Sequence, residues 1–252
     1  VERDSNLRRI QRFIANYALN LNLAARMIFS LLPVKDGWVL SMDRANWKFG
    51  EFNINILTLG ITYKGIAFPL LFSLLDKRGN SNWEERKDIM ERFFRLFGHD
   101  CTDCLVADRE FIGKEWIGWL NDNRIRYYIR IRQDIWIVKP STGERIRAWW
   151  LFNSLKVGQE KFYYKTVLHK GQYVYPAGSR IKRVPELQIL IRFNRSEDGV
   201  ASYKKRWEIE TAFRAIKSSG FNIEDTYPRD RERIARLPAM VRIALVWTHL
   251  VV

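Results

Sequence analysis

The order in which strand and helix patterns follow one another from residue 38 to residue 131 leaves few folds open to this chain. Residues 38–42, 54–63 and 66–75 are apolar, β-branched and aromatic runs. Turn-forming stretches at 60–65 and 76–80 divide them, which predicts a meander of adjacent antiparallel strands. Residues 82–97 change to helical spacing, with Trp83, Ile89, Met90, Phe93, Phe94 and Phe97 on one stripe. A short buried strand over 104–107, a helix over 114–120 and a strand over 127–131 complete the series. Three strands, helix, strand, helix, strand requires a sheet with both parallel and antiparallel neighbours, covered by helices.

That series is the order of a ribonuclease-H-like core, so the expected fold class is α/β: a mixed sheet flanked by helices. Residues 1–36 read as a basic helical segment. Leu7, Ile10, Ile14, Leu21 and Leu23 give it apolar positions, Asp4 or Ser5 can cap it, and Pro33 ends it. Residues 37–132 form the first part of the core. Residues 133–185 are short, polar-bounded strands with glycine turns, a β-rich insertion before the last helices. Residues 186–252 form the second part, with a strand over 187–193 and helices over 203–218 and 231–252.

Charge narrows the class of partner. Lys and Arg number 43 against 28 Asp and Glu, giving +15, spread over the whole length. A field of that sign attracts polyanions, nucleic acid first among them. Cys101 and Cys104 lack the second pair that a zinc site needs, and only His99 is near, so two reduced thiols are expected. No signal peptide is legible at the N-terminus. The apolar stretch 237–252 is short and broken by Pro238 and Arg242, so no membrane span and a cytoplasmic location are expected. The sequence begins at Val1 and ends within an apolar helical pattern, which suggests a piece of a longer chain.

Two acids stand directly after expected strands: Asp43 after the first and Asp108 after the fourth. Alone, each reads as a turn or cap residue. On neighbouring strands about 4.8 Å apart, the pair could bridge a metal. Burying both without a cation costs several kcal/mol, because one must stay protonated or both stay wet. A third acid lies on the 203–218 helix. At about 100° per residue, Tyr203, Arg206, Glu210 and Lys217 share a stripe about 60° wide beside the apolar Ile209, Ala212, Phe213 and Ile216. An exposed face with Arg206 and Glu210 paired at i, i+4 explains that one pair. It does not explain why four polar residues border the face that packs on the sheet.

Tyr203, Arg206, Glu210 and Lys217, so spaced, resemble the YREK signature of the IS-four family of bacterial and archaeal insertion-sequence transposases. The run from Asp43 through Arg44, Ala45 and Asn46 to Trp47 resembles that family's first-acid motif, with Ala45 where Thr is usual. The run from Ala107 through Asp108, Arg109 and Glu110 to Phe111 resembles its second. The resemblance covers roughly residues 38–250, and the 102 residues from Asp108 to Glu210 suit members with a β-rich insertion.

The resemblance implies a DDE transposase that cuts transposon ends and joins the freed 3′-hydroxyls to target DNA. Asp43, Asp108 and Glu210 would hold two Mg²⁺ or Mn²⁺ ions about 3.5–4 Å apart. Tyr203, Arg206 and Lys217 would hold DNA phosphates. Double-stranded DNA would be the partner, the working form a homodimer, and the setting a prokaryotic nucleoid. A nuclease or resolvase of the same fold, and a non-catalytic DNA-binding descendant, remain open. Glu110 is either a fourth acid or a partner for a neighbouring Arg. Trp149 and Trp150 are core residues or a platform for an unpaired base.

Overall fold

The computed structural model describes residues 2–17, 19–33, 36–49, 52–182, 184, 186–195, 198–217 and 231–251. Ser218 and Val252, and the side chains of Leu7, Ile10 and Ile14, lie outside what is described.

The N-terminal segment is a helix pair, α1 (Glu2–Asn16) and α2 (Leu21–Leu31). Asp4 and Ser5 lie inside α1 rather than capping it. The cap is Asn20, whose side-chain oxygen accepts from the backbone N–H groups of Asn22 and Leu23 and starts α2. Three antiparallel strands follow: β1 (Trp38–Phe49), β2 (Phe52–Tyr63) and β3 (Ile66–Leu75). Helix α3 (Trp83–Phe97) opens with a reciprocal capping box between Asn82 and Glu85. Then come β4 (Thr102–Ala107), α4 (Lys114–Asp122) and β5 (Tyr127–Ile131).

The β-rich stretch holds β6 (Trp136–Val138), β7 (Arg145–Arg147), a 3₁₀ turn over Ala148–Leu151, β8 (Glu160–Phe162), β9 (Val167–His169) and β10 (Gln172–Ser179). The chain returns through β11 (Gln188–Arg192) to α5 (Gly199–Lys204), α6 (Trp207–Lys217) and α7 (Arg231–Val251). No helix among the described residues is long and apolar enough to cross a membrane.

The strand order is β3-β2-β1-β4-β5-β11-β10-β9-β6-β7, with β8 also on β10. β4 runs parallel to both β1 and β5, and the other pairs are antiparallel. This is a large mixed sheet flanked by helices. β10 carries the sheet outward: residues 175–179 pair with β11 and residues 172–174 with β9.

Side chains alternate across the sheet, as the two-residue period requires. Trp38, Leu40, Met42, Leu105, Ala107, Tyr127, Ile129, Ile189 and Ile191 belong to the large core on one side, with the apolar faces of α3 and α4. Val39, Cys104, Val106, Tyr128 and Leu190 point the other way, into a smaller cluster closed by Val200 and Tyr203 of α5. Cys101 and Cys104 are buried free thiols. Burial, then the neighbouring Asp103, pushes the Cys104 thiol far above its ordinary pKa.

Two expectations need correction. β1 does not stop at Met42; it continues to Phe49, because its antiparallel pairing with β2 persists to Phe49–Phe52 after its parallel neighbour β4 has ended. Asp43 therefore lies inside a strand. Nor is there one helix from 203 onward. Four i−3 bonds, from the N–H groups of Lys205, Arg206, Glu208 and Ile209, break the α-helical ladder between α5 and α6. Tyr203 is in the last turn of one helix, Arg206 sits in the turn between them, and Glu210 and Lys217 are on the next.

Candidate active site

The parallel register of β1 with β4 positions the first two acids. Met42 pairs with Ala107, the last such pair, so Asp43 and Asp108 are the next residue on each side. Asp43 continues the alternation of Val39 and Ser41, and Asp108 that of Cys104 and Val106. Both acids therefore extend toward the α5 side of the sheet.

The α5–α6 segment closes over them. The Tyr203 hydroxyl donates to Asp108 Oδ1 at 3.3 Å. Arg206, only 4% exposed, sets Nη1 2.8 Å from Glu210 Oε1 and 3.8 Å from Asp43 Oδ2. Its Nε is buried without a hydrogen-bond partner among the described residues. The Glu210 side chain is 49% exposed, so the third acid stands at the rim while Asp43, at 16%, is within. Lys217, two turns further along α6, donates to the backbone carbonyl of Asn46 at 2.7 Å and ties α6 to β1. Trp47 and Phe213 meet edge to face beside it, with ring centroids 6.3 Å apart.

Electrostatics follow from this crowding. Burial raises the Asp43 carboxyl from 3.8 to about 6. The Arg44 backbone N–H, 2.7 Å from Oδ1, and Arg206 pull it back, while Glu110 and Glu210 push it up. Burial also works against the Arg206 charge, but Tyr203, Asp108 and Glu210 outweigh it and hold the guanidinium above its ordinary value. Burial pushes the Tyr203 phenol well up, so it is a neutral donor.

Tyr203, Arg206, Asp43, Asp108 and Glu210 thus form one contact network, and Lys217 lies along the same helix. Among the described residues, no three carboxylate, imidazole or thiol groups are spaced to hold a metal ion. The cation among these acids is Arg206. The donor set still fits a hard divalent ion: it is all carboxylate oxygen, and Asp43 carries a pKa raised by desolvation, which a cation would reverse.

Glu110, left open between two roles, is bonded through Oε2 to Arg44 Nη2 at 3.1 Å. Sequence reasoning missed Arg44 and Arg86 as supports of this region. The available signal was Arg86 within the apolar pattern of its helix, where it is 4% exposed. Trp149 and Trp150 sit on the 3₁₀ turn, 37% and 58% exposed.

A sheet ordered β3-β2-β1-β4-β5, with one acid in β1 where its pairing with β4 ends and another just past β4, has the ribonuclease-H-like fold. Comparison with known proteins narrows this further. The chain belongs to the transposase DDE domain family, whose model matches residues 85–247. Asp108 and Glu210 fall inside that span, and Asp43 precedes it.

The chain is similar in structure to the piggyBac transposase in a synaptic complex with hairpin DNA. The TM-score is 0.50 and the identity 11%, over 85% of this chain and 48% of that one. The likeness is one of fold, and the chain spans about half the length of that relative. The large terminase of a thermophilic bacteriophage is more distant, with a TM-score of 0.27 and 13% identity over 41% of this chain and 28% of that one. No curated protein matches the sequence.

Proposed function

We propose that this domain is the catalytic part of an insertion-sequence transposase of the IS-four group, cutting transposon ends and joining the freed 3′-hydroxyls to target DNA. The observation that carries the reading is the Met42–Ala107 register, which sets Asp43 beside Asp108 under the segment that bears Tyr203, Arg206 and Glu210. Four residues of a YREK-like signature lie along that segment.

Asp43, Asp108 and Glu210 would be the ligands of two divalent ions, Mg²⁺ or Mn²⁺. Such ions, when bound, make a water or a 3′-hydroxyl nucleophilic near neutral pH and stabilise the leaving oxygen of an in-line displacement. Asp43 lies within β1 and Asp108 directly after β4, whereas Glu210 is partly exposed and can swing inward as Arg206 releases it. Arg206 then has its planar fork available for a DNA phosphate, and Lys217 adds a point charge along the same helix. Tyr203 donates from its hydroxyl to orient Asp108 and takes no part as a nucleophile. Double-stranded DNA, ends and target, is the partner this chemistry requires, and the +15 charge supports it. We place the work in the prokaryotic cytoplasm, at the nucleoid, by a homodimer that bridges two ends.

The test is cleavage, by the full-length protein with Mg²⁺ or Mn²⁺, of a duplex carrying the ends that flank its own coding sequence. Asp108→Asn is expected to abolish cleavage while DNA affinity stays equal or rises, because negative charge near phosphate is removed. Equal cleavage by wild type and variant overturns the assignment.

A further inference from the structure

Beyond Met42 and Ala107 no ladder bond joins β1 to β4, so the backbone pairing ends one residue short of both acids. A contact beyond that ladder would therefore help to fix the separation of Asp43 from Asp108. A charged network on the opposite side of the sheet spans that gap. Arg44 continues the alternation of Leu40 and Met42, so its side chain leaves β1 on the face away from Asp43.

The Arg44 Nη2 lies 3.1 Å from Glu110 Oε2 and donates to Asn80 Oδ1 at 3.4 Å. Its Nη1 donates to the side-chain oxygens of Asn46 and Asn55, both at 3.1 Å. Those two asparagines face each other across β1 and β2. Glu110 is two residues past Asp108, in a turn closed by the Phe111 N–H on the Asp108 carbonyl at 3.0 Å.

Arg86 of α3 holds that turn from beneath. Its Nη2 donates to the Glu110 carbonyl at 3.1 Å, its Nε donates to Ser81 Oγ at 2.9 Å, and its guanidinium lies 5.0 Å from the Phe111 ring centroid. Phe111 is fully buried. The Arg44 and Glu110 side chains are only 14% and 22% exposed, so solvent screens this pair far less than a surface pair.

We infer that Arg44 and Glu110, anchored by Arg86, are positioning residues that clamp the Asp43 strand to the Asp108 turn and so set the spacing of the two carboxylates. The inference rests on the metal-dependent reading above. Partners of this kind, one step removed from the ligands, change metal affinity by about 10–100-fold when lost.

Charge and position make opposite predictions for Arg44, and that separates them. If Arg44 acted only through its charge, removing it would tighten cation binding, since a positive group near the site is gone. If it acts by position, removing it loosens binding.

The experiment is Mn²⁺ titration of the purified protein without DNA, followed by the paramagnetic resonance of free Mn²⁺, for wild type, Arg44→Gln, Glu110→Gln and the double variant. Arg44→Gln is expected to bind Mn²⁺ about tenfold more weakly than wild type. The double variant is expected to be no weaker than the weaker single one, as for residues that act as a unit. Arg44→Lys keeps the charge but loses the fork, and should stay weak. If Arg44→Gln lacks a thermal transition, Glu110→Asp, which draws the carboxylate back by one methylene, is read in its place with the same expectation. Equal or tighter Mn²⁺ binding by Arg44→Gln, with wild-type binding intact, overturns the clamp and leaves the metal reading standing. Absence of binding by the wild type as well overturns both.

Discussion

Arg206 holds Glu210 one helical turn away, with 2.8 Å between Nη1 and Oε1, and turns the same nitrogen toward Asp43 at 3.8 Å. In this arrangement the guanidinium serves as the cation of an acidic cluster. On the proposed function a DNA phosphate would compete for the same fork. Arg206→Ala is therefore expected to weaken DNA binding and to make the slope of log affinity against log salt shallower by about 0.9, one phosphate contact. Affinities over a salt series check this; an unchanged slope counts against a phosphate role.

Asp43 gives a pH signature. Its folded pKa is about 6 against an ordinary 3.8, chiefly through burial, so the folded protein binds that proton more tightly than the unfolded chain. The contribution of Asp43 to stability is then greatest below about 3.8, is lost as pH rises toward 6, and is flat above. Asp43→Asn is expected to be more stable than wild type at neutral pH, by on the order of 2 kcal/mol, with the gap closing as pH falls from about 6 to 4. Thermal melts across that range measure it. A gap that widens toward acid would contradict the sign.

Tyr203 is 1% exposed and donates to Asp108, with a phenol that burial keeps protonated. Tyr203→Phe removes one hydrogen bond and no ligand, a loss of about 1–2 kcal/mol. Cleavage should fall by about 5- to 30-fold, and no DNA–protein adduct should form with the wild type. Complete loss, matching Asp108→Asn, would point to a direct chemical role for the hydroxyl.

Arg242 of α7 is 2% exposed and donates to the carbonyls of Pro69, Leu70 and Pro238 at 3.3, 2.9 and 3.2 Å. Pro69 and Leu70 form the irregularity where β3 slips register against β2, so their carbonyls need another donor. Arg242→Met keeps apolar bulk but orphans them. A loss of about 1–3 kcal/mol is expected in denaturant melts, and unchanged stability would mean the carbonyls find water.

Much of this was legible in the sequence because strand and helix periods carry it. The order from β1 to β5 follows from hydrophobic spacing, whereas the single helical stripe expected for Tyr203, Arg206, Glu210 and Lys217 is divided between α5, a turn and α6. What local pattern could not carry was tertiary. β1 runs on past Asp43 because β2 pairs with it, and Asp43 through Trp47 show no strand signal strong enough to say so. The break between α5 and α6 has no glycine or proline to announce it; Lys205 and Arg206 turn by i−3 bonds alone. The Arg44–Glu110 pair joins residues 66 apart, and no spacing rule selects one arginine from the many.

The claim on which the rest depends is that Asp43 and Asp108 share a divalent ion. Crystals of the domain grown with Mn²⁺ and measured at the manganese absorption edge test it most directly. Anomalous density between the Asp43 and Asp108 carboxylates, with Glu210 turned from Arg206 toward it, is the expected result. Density only at other sites, or none with Arg206 still lodged among the acids at saturating Mn²⁺, would contradict it.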